Sequence, residues 1–264
     1  MSGGAEERDC SAAHPFIRSS AHPIFVGTAG WALPHMWRDR FPAGASNLER
    51  YATRFSCAEI NSSFYKQHRR ATYERWAASV PPQFRFAVKV PRAITHDQRL
   101  VAADVLLEVF LDEARGLGDR FGPLLVQLPP SLAFDTEIAD EFFVTLRALH
   151  EGDVVCEPRH ATWFSAEAEA LLVAHRVARV GADPACVPAA ATPGVWPGLA
   201  YVRLHGSPVT YRSSYEPERL RPLADLLRAS AAAGRAAWCI FDNTTLGAAT
   251  GNALELTRLL TGER

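Results

Sequence analysis

Lysine is almost missing from this chain: Lys66 and Lys89 stand beside 26 arginines. Positive charge is therefore written in arginine, and each lysine asks for its own explanation. Long apolar runs are missing too. None approaches the ~20 residues that a membrane helix needs, and the opening residues lack the apolar stretch of a secretory leader. The formal charge of −1 excludes a strongly basic nucleic-acid binder, though it leaves room for a local basic pocket. Cysteine is sparse, with five residues at 10, 57, 156, 186 and 239, an odd number without a Cys-x-x-Cys pair. Neither a zinc site nor a disulfide framework is indicated, and a reducing, cytoplasmic setting is expected. A dinucleotide phosphate loop is absent as well: Gly27-Thr-Ala-Gly30 runs into Trp31 and not into a Gly-rich turn before a helix. No linker-like stretch divides the chain. Residues 1–22, small and polar, are expected to form a disordered N-terminal arm, and residues 23–264 a single domain.

What is present is a rhythm of eight apolar runs of β type, at 24–31, 57–65, 84–90, 124–129, 154–159, 176–183, 199–206 and 236–243. Helical patterns separate them. Ser46 and Glu49 form a capping box, Asp104 to Leu117 and Thr136 to Leu149 repeat at helical spacing, and Ser165 caps another helix. Val105 and Val109 are expected on the buried face of the first of these, and Pro222 in the first turn of a later helix. Residues 184–197 carry four prolines and no helical period, so a loop is expected to replace the helix after the sixth run. Near-continuous apolar strands alternating with helices predict a parallel α/β sheet, and eight such units in 264 residues predict a (β/α)8 TIM-barrel-like fold.

The runs end in polar residues. Glu59 and Asn61, Lys89, Gln127, Glu157 and Arg159, Asp183, Arg203 and His205, and Asn243 recur at their C-terminal ends. Residues two apart on a strand share a face, so Glu59 is paired with Asn61, Glu157 with Arg159 and Arg203 with His205, while Ile60, Val88, Val126 and Leu204 point away. In a barrel of this type such strand ends gather at one face, where the active site is built.

The stretches GTAGW (27–31), EINSSFY (59–65), FAVKVPRAITH (86–96), QLPPS (127–131), EPRHATW (157–163), YVRLHG (201–206) and FDNTTLGAATGNA (241–253) are similar, in order and spacing, to the YecE-like family, a domain-of-unknown-function family numbered 72. The resemblance runs from about residue 24 to 260. It implies a TIM-barrel-like fold and a site but no reaction. Pro158 and Asp242 depart from the family pattern.

Four residues are candidates for proton transfer. Glu59 and Glu157 can act as acid and base if their surroundings separate their pKa values, Lys89 as a base or Schiff-base amine, and His205 as an acid–base group. Arg92, Arg159 and Arg203 suit the oxygens of a carboxylate or phosphate, and the forks of Arg159 and Arg203 are expected to open into the pocket. Asn61, Tyr65, His96, Gln127, Trp163 and Asn243 complete the expected binding residues. The reading is an enzyme acting on a small anionic metabolite, phosphorylated or carboxylated, with no cofactor. Two alternatives stand beside it: a divalent-metal-dependent isomerase or phosphodiesterase, and a non-catalytic module for nucleotides or nucleic acid. No membrane partner is expected.

Overall fold

The computed structural model describes residues 17–18 and 22–262. Most of the expected N-terminal arm lies outside the described residues. Its Ile17–Arg18 pairs antiparallel with Pro23 and Ile24.

Among the described residues nine strand segments run parallel around the sheet: β1 (Pro23–Thr28), β2 (Cys57–Ile60), β3 (Arg85–Lys89), β4 (Phe121–Gln127), β5 (Val154–Glu157), β6 (Val177–Arg179), β7 (Gly181–Asp183), β8 (Leu199–Leu204) and β9 (Ala236–Phe241). Two parallel arcs result, β2-β3-β4-β5-β6 and β7-β8-β9-β1. At one seam Ala29 bridges Glu59 in parallel, and the Gly30 N–H donates to the Glu59 carbonyl at 2.8 Å. At the other, the sixth apolar run bends at Val180, so that β6 pairs with β5 and β7 with β8. The eight runs thus follow one another around a TIM-barrel-like ring. The approach of β1 to β2 demands glycine at 27, since a Cβ there would lie 2.1 Å from the Cys57 carbonyl oxygen.

Seven helices cover the outside: α1 (Asn47–Ala52), α2 (Arg70–Ala78), α3 (Asp104–Ala114), α4 (Thr136–Leu149), α5 (Ala166–Ala174), α6 (Pro217–Ala232) and α7 (Ala248–Thr261). Ser46 and Ser165 cap α1 and α5 by accepting from the Glu49 and Ala168 N–H groups. Glu49 reaches back to the N–H of Ala45, one residue beyond the capping-box position. After β7 come a short 3-10 turn, Pro188–Ala191, and a two-residue strand, Gly194–Val195, in place of a helix. Two local expectations fail. The proline in the first turn of α6 is Pro217, and Pro222 lies inside the helix. On α3 the buried positions are Leu107, Phe110, Leu111 and Ala114, whereas Val105 and Val109 are exposed. A helix this apolar offers two faces at helical spacing, and packing selects one.

Strand alternation divides the core. Outward residues such as Ile60, Val88, Val126 and Leu204 pack against the helices. Inward residues form two layers. The lower is apolar: Phe25 stacks on Trp238 and Trp238 on Tyr201, with Cys57, Ala87, Leu125, Val155 and Ile240 around them. The upper layer, at the C-terminal ends of the strands, is charged. Among the described residues no helix is long and apolar enough to cross a membrane.

Candidate active site

Arg203, near the end of β8, stands at the centre of the upper layer with no exposed surface. Its Nε and Nη2 donate to the two oxygens of Glu59 at 2.9 and 2.7 Å. Nη1 donates to Glu157 Oε2 at 2.6 Å, and Nη2 also to Asp242 Oδ2 at 3.1 Å. Tyr201, two residues back on the same face, donates its hydroxyl to Glu59 at 3.2 Å. Every nitrogen of the guanidinium is thus spent inside the protein. Arg203 was expected to open its fork to a ligand; it does not, because Glu59 and Glu157 between them take all three of its nitrogens and Asp242 shares one.

Glu157 Oε1 is a second junction. It accepts from Gln127 Nε2 at 3.1 Å and from Arg159 Nε and Nη2 at 3.0 and 2.8 Å, and it lies 2.9 Å from His205 Nε2. His205 Nδ1 faces Asp242 Oδ2 at 3.0 Å, so both ring nitrogens are engaged and the ring is buried. Burial pushes the Glu157 carboxyl up, but Arg203, His205 and Arg159 outweigh it and hold it well below the usual carboxylate range. Burial likewise raises Asp242, and Arg203 and His205 bring it down. Glu59, Glu157, Asp242, Arg203, His205, Tyr201 and Gln127 therefore form one closed floor.

Lys89 ends β3 beside this floor and is not part of its bonding. Its Nζ lies 4.0 Å above the Phe64 ring and has no hydrogen-bond or ion-pair partner among the described residues. Burial and the nearby Arg203 push its pKa down to about 8, against the pull of Glu59, Asp242 and Glu157. Phe64 also meets the His96 ring, centroids 4.9 Å apart. His96, half-buried, is pushed down to about 4 by burial, Lys89, Arg92 and Arg159, so it is neutral at pH 7. Arg159 keeps 27 % of its side-chain surface exposed, and its Nη1 has no partner among the described residues. Above the floor lies a rim of Lys89, Arg159, His96 and Arg92 in which positive charge prevails.

Of the remaining sequence candidates, Arg92 is mostly exposed, with Nε bonded to Asp97 at 3.1 Å, and together with Tyr65 it lines a separate cavity. Asn61 follows the end of β2 in helical backbone, where strand alternation no longer applies. Trp163 is buried and donates to the Leu132 carbonyl, away from the cluster. Asn243 faces outward to Ser213 and Asn252; counting by twos from Trp238 gives Ile240 and Asp242 as the inward residues of β9. Asp183 bonds Arg219 instead of the floor. Asp242, Tyr201 and Phe64 were not among the expected site residues. The first two were legible from parity; the third, which lies beyond a strand end, was not.

Among the described residues no group of three or more His, Cys, Asp or Glu side chains could hold a metal ion. The space between Glu59, Glu157 and Asp242 is filled by the Arg203 guanidinium.

The family model described as "Protein of unknown function DUF72" matches residues 25–264, and the chain belongs to that family. The UPF0759 protein YecE of Escherichia coli strain K12 is 33 % identical over 106 residues, which is 40 % of this chain and 38 % of that protein. The match thus spans well under half the length of that relative. A DUF72 family protein from Enterococcus faecalis V583 has the same fold, with a TM-score of 0.75 at 18 % identity over 90 % of this chain and 95 % of the other. The E. coli protein YcjR, a 3-keto-D-glucoside 4-epimerase, is similar in fold with a TM-score of 0.52 at 13 % identity over 90 % and 98 %.

Proposed function

We propose that this DUF72 chain is an enzyme that binds a small anionic metabolite at the C-terminal end of the barrel and transfers a proton with Lys89. The observation that carries the reading is Lys89 itself: one of two lysines in the chain, buried, with no ion-pair partner among the described residues and its pKa lowered to about 8. Leaving an ammonium unpaired in a buried site is unfavourable. A general base gains from it, because a free amine becomes available near working pH.

The floor positions and the rim binds. Arg203 and its three carboxylates hold the electrostatic surroundings of Lys89 fixed, and rigid placement of this kind is what a catalytic group needs from its neighbours. Arg159, through its unused Nη1, and Arg92 supply charge for a carboxylate or phosphate, and neutral His96 supplies a hydrogen-bonding nitrogen between them. Glu157 acts through its grip on Arg159. The barrel neighbour named as a keto-sugar epimerase offers an analogy of fold only: that fold is compatible with chemistry on a carbohydrate.

The test is proton exchange in D2O. A panel of phosphorylated and carboxylated sugars is incubated with the protein, and loss of the proton beside the carbonyl is followed by NMR. Exchange with at least one member is expected, reduced by about 100-fold or more in Lys89→Met. Exchange that survives in Lys89→Met refutes the role of Lys89, and a panel without any exchange refutes the reaction. Borohydride trapping of an adduct on Lys89 would turn the base into a Schiff-base nucleophile.

A further inference from the structure

Outside the barrel mouth lies a cavity of about 350 Å³, and Phe64, whose ring faces the Lys89 Nζ, forms part of its wall. It opens between the turn that follows β2, the π-helical turn at Ala93–Asp97, and α3. Its walls are mainly apolar: Phe64, Tyr65, Ile94, Leu106, Val109 and Phe110. Tyr65 is 75 % exposed and Val109 45 %, although α3 has a fully apolar face already buried against the barrel. Apolar side chains gathered on the surface around a cavity mark a binding site more often than chance scatter does. The volume falls in the ~300–1,000 Å³ range of small-molecule pockets.

The charged edge selects the ligand. Lys66, Arg92 and Asp97 border the cavity, and Arg92 is paired with Asp97. Lys66 has no hydrogen-bond or ion-pair partner for its side chain among the described residues, which leaves one net positive charge beside an apolar pocket. With Lys66 the other lysine is accounted for, one of only two in a chain that otherwise writes its positive charge in arginine. We propose that this cavity binds an amphiphilic monoanion, a medium-chain or aromatic carboxylate, with the apolar part against Phe64, Leu106 and Val109 and the carboxylate on Lys66. The cavity shares Phe64 and Arg92 with the rim, but neither Lys66 nor Val109 has a part in the proton transfer.

Octanoate and octanol serve as probes in calorimetric titration of the full chain. Octanoate should bind at least tenfold tighter than octanol. Val109→Glu, an exposed helix position where a charge is tolerated, should weaken octanoate at least tenfold, and Lys66→Gln should bring octanoate and octanol to within about twofold of each other. A second readout needs no variant. Reductive methylation with 13C-formaldehyde labels two lysines, and the Lys66 resonance should move on adding octanoate. Equal binding of octanol and octanoate overturns the anion assignment. Binding unaffected by Val109→Glu, a Lys66 resonance that stays fixed, or no binding at millimolar octanoate overturns the site. Proton exchange in D2O should be unchanged in Val109→Glu, so failure here and failure of the proton-transfer reading are told apart.

Discussion

Arg203 and Lys89 are cations at the same end of the same barrel, both nearly removed from water, and the protein treats them in opposite ways. Arg203 receives three carboxylates and a full set of hydrogen bonds, which together raise its pKa well above the ordinary value against the effect of burial. Lys89 receives an aromatic face and no counter-ion, and its pKa falls. Neutralisation is not rationed by supply, for the carboxylates are close enough to Lys89 to act on it through space. They are committed to the arginines. The floor holds three carboxylates against one arginine, and Arg159 and Lys89 bring the count level, but of these cations only Lys89 lacks a bonded partner among the described residues; a buried ammonium left in that state is a feature that stability alone opposes. Four predictions probe that contrast.

The largest effect belongs to the floor. Arg203→Met strands Glu59, Glu157 and Asp242 without their common partner, and breaking a buried network in this way should destabilise by about 3–5 kcal/mol. Urea unfolding checks it. Adding Glu59→Gln to Arg203→Met should recover part of the loss, since one of the stranded charges is removed; a double variant worse than the single one would mean that Glu59 is held by something other than the arginine.

Acid should expose the same dependence. Glu157 and Asp242 have folded pKa values below their unfolded ones. Their contribution is therefore complete above the unfolded value near 4 and is lost as the pH falls through the folded values, because the unfolded chain takes up protons first. Each such proton steepens the fall by about 1.4 kcal/mol per pH unit. Thermal midpoints between about pH 7 and pH 3 should drop more steeply in the wild type than in Glu157→Gln. Equal slopes would remove Glu157 from the account.

Lys89 should behave in the reverse sense. Its folded pKa, about 8, lies below the ordinary 10.5, so below pH 8 both states are protonated and burial of the charge opposes folding. That opposition is relieved as the pH rises from about 8 to about 10.5, where the unfolded chain holds the proton longer. Lys89→Met should stabilise the protein at pH 7, by about 1–3 kcal/mol, and the gain should shrink above pH 8. A variant that gains stability while losing proton exchange is what a strained functional group predicts. A variant that loses stability would show that the lysine is structural.

How much of this could be read in advance follows from where strands stop. Within strands, alternation was a reliable guide: Glu59, Lys89, Gln127, Glu157, Arg203 and His205 all point inward at one end. The same rule, applied from Trp238, would have selected Asp242 over Asn243. Past the strand ends the rule has no force, because the chain turns. Asn61 enters helical backbone, Tyr65 swings out to 75 % exposure, and Phe64 folds over Lys89, none of which periodicity encodes. Charge balance was the harder failure. Counting arginines against glutamates gave an excess of positive charge at the site, but Asp242 joins the floor and Arg92 is engaged by Asp97. With those two aspartates counted, four carboxylates meet Arg92, Arg159, Arg203 and Lys89 and no excess remains; what sets Lys89 apart is the lack of a bonded partner among the described residues.

The smallest effect is expected at the rim. Inorganic phosphate should raise the thermal midpoint through Arg159, Arg92 and Lys89, by about 1.4 kcal/mol of stability at ten times its dissociation constant. Arg159→Met should remove most of this gain. The variant should still fold, since Glu157 keeps Arg203, Gln127 and His205 as partners. Two titrations make the result specific. His96 is neutral above about 4, so the phosphate effect should not follow a histidine titration near pH 6. Lys89 loses its charge near 8, so with sulfate as the probe, whose own charge is constant over this range, the effect should weaken as the pH rises through that value. Added chloride should weaken it as well, because Arg159 and Arg92 are open to solvent and to screening. A phosphate effect that survives Arg159→Met, or a sulfate effect that stays constant from about pH 7 to pH 9, would place the anion elsewhere and leave the rim's positive charge without a ligand.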